Sequence, residues 1–183
     1  MLGTLFGIDG KSKDTNKARL DLQDLNIRKE LHLKKVRDKW IKPPACYTLS
    51  TSERRSFCEF LKSVKFPDGY VANISRNVNV KDGRIMGLKS HDCHVLLQKL
   101  LPVGLRPFLK AKVLTPITEI SSFFQQLCAR TLSIKDLDAL QEGIVFTLCK
   151  LERIFPPAFF TIMIHLTFHL PQEARLAGPV HTR

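Results

Sequence analysis

The 183-residue sequence contains no run of 18 apolar residues, the length a membrane-spanning helix requires. Its longest apolar stretch, 155–170, is interrupted by Pro156, Pro157, His165 and His169, so no membrane partner is expected. The opening Met1-Leu-Gly-Thr-Leu-Phe-Gly lacks a basic segment and a small-residue cleavage site, and no signal peptide is expected. No CxxC pair occurs, which excludes a cysteine-based zinc ribbon. The five cysteines (Cys46, Cys58, Cys93, Cys128 and Cys149) are odd in number, widely spaced and mostly among apolar neighbours. They argue for reduced thiols inside a cell rather than a disulfide framework. Gly7-Ile-Asp-Gly10-Lys11-Ser12 lacks phosphate-loop spacing because its glycines stand three apart, and no G-x-S-x-G elbow is present.

What the chain has is positive charge, unevenly spread. Residues 1–112 hold 23 Lys/Arg against 11 Asp/Glu, whereas residues 113–183 hold 6 against 6. The whole net charge of +12 therefore belongs to the first part. A basic part joined to a neutral, apolar part suggests a surface facing a polyanion built onto a packing module. A merely soluble basic surface is the plainer reading.

The hydrophobic content of 44% supports a core, and the periodicity predicts a mainly α fold. Asp14 or Thr15 can cap a helix over 17–33. The basic run 34–42 ends at Pro43-Pro44, so 34–44 reads as a linker. Ser50-Thr-Ser-Glu53 is a capping box for a helix carrying Phe57, Phe60, Leu61 and Val64. Residues 66–88, with Pro67-Asp-Gly69 and Asp82-Gly83, read as a loop with a short strand at 78–80. Ser90 is expected to cap a helix over 91–101 ended by Pro102, and Thr115-Pro116 to start another. Ser133-Ile-Lys-Asp136 opens a longer helix to about Ile154. Residues Ala158–Leu170, apolar nearly all round, are expected to form a central buried helix near 156–170. The sum is a helical domain with a basic, loop-rich N-terminal part.

Three groups of residues carry possible chemistry. His165, His169 and Glu173 stand four apart, so a continuous helix would stack them on one stripe able to ligate a metal. Pro171 interrupts that stripe, and a His between Ile164 and Leu166 is also an ordinary semi-buried side chain. His91 and His94, three apart, either join His165 and His169 in a zinc site or hydrogen-bond locally at a helix start. Lys34, Lys35, Arg37, Lys39, Trp40 and Lys42, with Arg54 and Arg55 beyond them, are candidates for phosphate contact and base stacking. The same run reads equally as a solvated connector or a nuclear import signal.

Several blocks occur in one order. They are Arg19-Leu-Asp-Leu…Ile27-Arg28-Lys-Glu30-Leu31, Pro43-Pro44-Ala-Cys46-Tyr-Thr-Leu-Ser50 and Gly87-Leu-Lys-Ser-His91-Asp92-Cys93-His94-Val-Leu. Leu100-Leu-Pro102-Val, Phe155-Pro156-Pro157-Ala-Phe-Phe and His165…Glu173…Gly178-Pro179-Val follow. Together they resemble the C-terminal region of plant CACTA (En/Spm-like) DNA transposon transposases, which contains a domain of unknown function after the transposase core. The resemblance implies that 1–33 is a remnant of the core's end, 34–44 a basic linker, and 45–183 the following domain, truncated at its C-terminus. It implies DDE-type chemistry with two divalent ions, Mg²⁺ or Mn²⁺, in a complete transposase. Glu173 would be the third acidic residue, with His165 and His169 as a structural or metal pair. The first two aspartates of such a site are not in this chain, so no cofactor and no enzyme activity are expected of it in isolation, apart from a possible Zn²⁺. The expectation is a transposase fragment or degenerate copy, nuclear, contacting DNA, with the transposase core or other transposon proteins as further candidate partners. The alternative is a domesticated, non-catalytic module that binds nucleic acid or protein.

Overall fold

The computed structural model describes residues 1–66 and 74–178, and the fold is mainly α. The Pro67-Asp-Gly69 turn expected above lies outside the described residues. The chain opens with a short helix α1 (Leu2–Leu5) and α2 (Asn16–Asp24). The Thr15 hydroxyl accepts from the Ala18 amide at 3.2 Å and starts α2 as a cap should. The helix expected over 17–33 stops at Asp24, however. Leu25 and Ile27 are exposed, and Asn26 turns the chain out at φ 52°. Asn accepts that left-handed region more readily than most residues, and the spacing of Leu20, Leu22, Leu25 and Ile27 fits no single helical face.

The basic run read as a linker forms a two-stranded antiparallel ribbon, β1 (Lys34–Val36) and β2 (Lys39–Ile41). Helix α3 (Thr51–Ser63) follows its capping box, with the Ser50 amide donating to Glu53 Oε2 at 2.7 Å. A second small ribbon pairs β3 (Val78–Asn79) with β4 (Arg84–Ile85).

Helix α4 (Ser90–Val95) begins one residue earlier than expected. Lys89 is its cap, and the Lys89 amide donates to buried Asp92 at 3.2 Å. Pro102 does not end this segment. A π turn over Leu96–Leu100 leads directly into α5 (Leu101–Gly104). A proline there cannot donate to the carbonyl four residues back and would crowd it; the widened turn makes room. Gly104 is held against α3, because a Cβ there would lie 2.6 Å from ring atoms of both Phe57 and Phe60.

Helix α6 (Ala111–Leu127) likewise starts ahead of its expected signal and carries Pro116 inside, with the loss of one backbone hydrogen bond. It packs against α7 (Ile134–Glu152), which the Ser133–Asp136 capping box opens as expected. Glu119 of α6 bridges to α7, accepting from Lys150 Nζ at 2.5 Å and from the Thr147 hydroxyl at 3.1 Å.

The expected central helix near 156–170 is not there. Residues Pro157–Phe159 make one 3₁₀ turn, Thr161 is extended, and α8 (Ile162–His165) passes through a 3₁₀ turn, Leu166–Phe168, into α9 (Leu170–Ala177). Ile162 and Met163 are 72% and 69% exposed, so α8 lies on the surface between buried Phe159 and Thr167. Two prolines at one end and Pro171 at the other each remove an amide, and uniform apolarity supplied no face to bury.

Buried residues form one cluster from Leu5 and Leu22 through Phe57, Leu105, Ile117 and Ile144 to Phe155, Phe159 and Ala174. Residues on both sides of 34–44 thus share a core. Its aromatic centre stacks Phe155 on Phe159 (ring centroids 4.2 Å apart) and sets Tyr47 at a tilt against Phe155 (4.7 Å). Each such pair adds about 0.5–1.5 kcal/mol beyond area burial. Arg28, itself left-handed at φ 50°, donates its guanidinium to the carbonyls of Glu152 and Phe155 and so caps the end of α7. Among the described residues, no helix is long and apolar enough to cross a membrane.

Candidate functional site

The basic ribbon is assembled on a buried ion pair. Arg19, fully buried on α2, meets Asp14 through two bonds, Nε to Oδ1 at 2.5 Å and Nη2 to Oδ2 at 2.7 Å. Its Nη1 donates to the Leu31 carbonyl at 2.7 Å and its Nη2 to the Pro43 carbonyl at 3.4 Å. One guanidinium therefore ties the chain entering the ribbon to the chain leaving it. Burial works against the charge on Arg19, but the bonds to Asp14 and the nearby acidic groups more than offset it, and its pKa is raised. The Tyr47 phenol, fully buried within reach of this pair, is pushed well above its ordinary pKa by burial first and by Asp14 second.

From this base the ribbon projects into solvent. Its register sets Lys35 opposite Trp40 on one side, and Lys34 opposite Ile41 and Val36 opposite Lys39 on the other. The two-residue turn holds Arg37 at φ 54°, a conformation that costs a non-glycine residue about 1 kcal/mol. All six strand residues are exposed, and Trp40 is 56% exposed. The side chains of Lys34, Lys35, Arg37 and Lys39 make no hydrogen bond or ion pair with any described residue. An indole beside a lysine, flanked by unpaired cations, can hold a base by stacking and its phosphates by charge.

The other three candidate contacts have structural work. Lys42 Nζ donates to the Asp14 carbonyl at 2.8 Å, Arg54 Nη1 to the Phe6 carbonyl at 2.8 Å, and Arg55 Nε to the Lys81 carbonyl at 3.3 Å. Arg19, Asp14 and Tyr47 were missed from sequence. The available signal was Arg19 lying one turn from Leu22 on the buried side of α2, where a solvated arginine has no place.

The histidines divide. His165 and His169 are exposed and face each other across the α8–α9 junction, Nε2 to Nε2 at 3.4 Å. His91 and His94 lie on α4 and do not join them: among the described residues, no three His, Cys, Asp or Glu side chains are arranged to hold a metal ion. Glu173 is exposed in the first turn of α9, its amide donating to the His169 carbonyl at 3.0 Å. Glu173 belongs to no such group among the described residues. Beside His165 runs a groove of about 590 Å³, lined by Leu148, Cys149, Phe160, Ile162 and Phe168 among others.

Residues 127–183, less than a third of the chain, match the family described as "Domain of unknown function (DUF4218)". This stretch begins at the last residue of α6 and takes in α7, α8 and α9. It is similar to a domain of unknown function, the kind of module the resemblance implied here. No curated protein and no solved structure matches the chain.

Proposed function

We propose that these 183 residues derive from a plant CACTA-type (En/Spm-like) transposase and contact DNA in the nucleus without cutting it unaided. The resemblance of the ordered blocks supports the transposon origin. The basic ribbon carries the DNA reading: four unpaired cations and an exposed Trp40 stand on a rigid base, clear of the core. Net positive charge held out on a ribbon, four cations against Asp38 in its turn, gains affinity by releasing counterions from a phosphate backbone and needs no base-specific motif. Glu173 would belong to catalysis only with further carboxylates and Mg²⁺ or Mn²⁺ in a larger assembly, where the transposase core is the natural partner.

The test is fluorescence anisotropy of a labelled DNA duplex and a single strand over a range of salt. The expected plot of log K against log salt falls by roughly 0.9 per phosphate contact on duplex. Replacing Lys34, Lys35, Arg37 and Lys39 by Gln flattens it by up to about four such increments. Equal slopes for the two proteins would sink the ribbon as the contact surface, and Mg²⁺-dependent strand cleavage would sink the non-catalytic half of the reading. A second reading, a domesticated protein-binding module, draws on the apolar groove lined by Val145, Phe160, the exposed Ile162 and Phe168. It takes over if the ribbon variant keeps full DNA affinity.

A further inference from the structure

We propose that His165 and His169 form a two-histidine chelate for a divalent ion of the zinc type, independent of the DNA-binding ribbon. The argument is geometric. Two imidazole nitrogens bound at 2.0–2.1 Å to a tetrahedral ion lie about 3.3 Å from each other. Here the two Nε2 atoms stand 3.4 Å apart, and the ring planes cross at 69° rather than stacking. That separation exceeds the usual 2.7–3.2 Å of a nitrogen-donated hydrogen bond, so the pair gains little from each other as they stand. Without an ion, two nitrogen edges facing at this distance must either share one long bond or set lone pair against lone pair.

The backbone holds the two rings in place. His165 closes α8, and the turn Leu166–Phe168 brings His169 round as the cap of α9. The Thr167 hydroxyl donates to the Ile164 carbonyl at 2.6 Å inside this turn, and Phe168 meets the His169 ring edge-on at 5.0 Å. Gln141 of α7 donates to the Phe168 carbonyl at 2.9 Å, anchoring the turn to the long helix. Both rings are therefore set on a braced junction and are open to solvent. No third His, Cys, Asp or Glu completes the site among the described residues. Two coordination positions stay available for water or an outside donor. Imidazole pairs favour Zn²⁺, Ni²⁺ and Cu²⁺ over Mg²⁺ and Ca²⁺, which take oxygen ligands.

The experiment is titration of the chelator-treated 183-residue protein with ZnCl₂, followed by calorimetry and by the imidazole signals in a ¹H–¹⁵N spectrum. Zinc is expected to shift the His165 and His169 signals together and to leave those of His91 and His94 in place. MgCl₂ is expected to shift neither. His169→Ala should weaken zinc binding by more than the roughly 10–100-fold that loss of even an outer-shell partner costs. His91→Ala should leave it unchanged. One ion per chain or one per two chains both support the chelate. Zinc that leaves the His165 and His169 signals unmoved, or binds His169→Ala as tightly as the parent, overturns it. Because His169 is exposed, circular dichroism of the variant separates loss of a ligand from loss of the fold, and His165→Gln provides an independent second removal.

Discussion

The basic and the neutral parts of this molecule treat charge in opposite ways. In the basic part the ion pair Asp14–Arg19 is internal, and the cations of the ribbon, with Asp38 in the turn between them, form no ion pair with a described residue. In the neutral part the pairs are on the surface, Lys150 with Glu119 and Arg175 with Asp138, and apolar side chains such as Phe146 and Ile162 are what remain exposed. A buried pair is costly to break and holds one geometry; surface pairs contribute little and merely cancel each other's field. The contrast separates two kinds of surface on one core. One presents uncompensated positive charge, and the other presents a neutral, grooved face.

The largest effect should come from the base of the ribbon. Arg19→Met strands Asp14 in the interior and frees the carbonyls of Leu31 and Pro43, so urea unfolding should register a loss of about 3–5 kcal/mol. A loss below about 1 kcal/mol, within the range of a surface pair, would dissolve the contrast drawn above. Next comes packing between helices within the basic part. Gly104→Ala drives a methyl into Phe57 and Phe60 and should cost about 1–3 kcal/mol in the same measurement.

Trp40→Ala should do the reverse, leaving the melting temperature unchanged while weakening single-stranded DNA by about 1–3 kcal/mol. An unaltered affinity would reduce the ribbon to a purely electrostatic surface. The smallest effect belongs to the neutral part. Hydrogen bonds from the Ser133 hydroxyl and amide lower the pKa of Asp136 below its unfolded value. A depressed carboxylate stabilises the fold above its unfolded pKa and loses that contribution as pH falls through the folded one. Ser133→Ala should therefore lower stability slightly at neutral pH, with the difference between variant and parent shrinking in strong acid.

Local chemistry was legible wherever a side chain and its backbone partner lie within one turn. Thr15, the Ser50–Glu53 box and the Ser133–Asp136 box all start helices where their residue types say, and α7 keeps its Leu137, Leu140, Ile144 and Leu151 face. Prolines misled in both directions, because their cost depends on what the neighbouring turn can absorb. Pro102 is accommodated by a π turn, whereas Pro156, Pro157 and Pro171 break up a stretch whose apolarity promised a helix. The ribbon was invisible because its strands are lysine-rich and exposed; what orders them is Arg19, fifteen residues before the first strand. Of the candidate sites, sequence spacing foresaw the approach of His165 to His169. It had no means of telling whether α4 would bring His91 and His94 near.

The Arg28 cap on α7 sets a practical limit on dissecting the molecule. A clone cut at Leu127 to match the family boundary would encode Phe155 and Phe159 without Tyr47, and the carbonyls of Glu152 and Phe155 without their guanidinium. The matched stretch borrows its wall and its cap from residues a hundred positions upstream. A soluble expression product should accordingly be sought by keeping the first fifty residues, not by trimming to the recognised module.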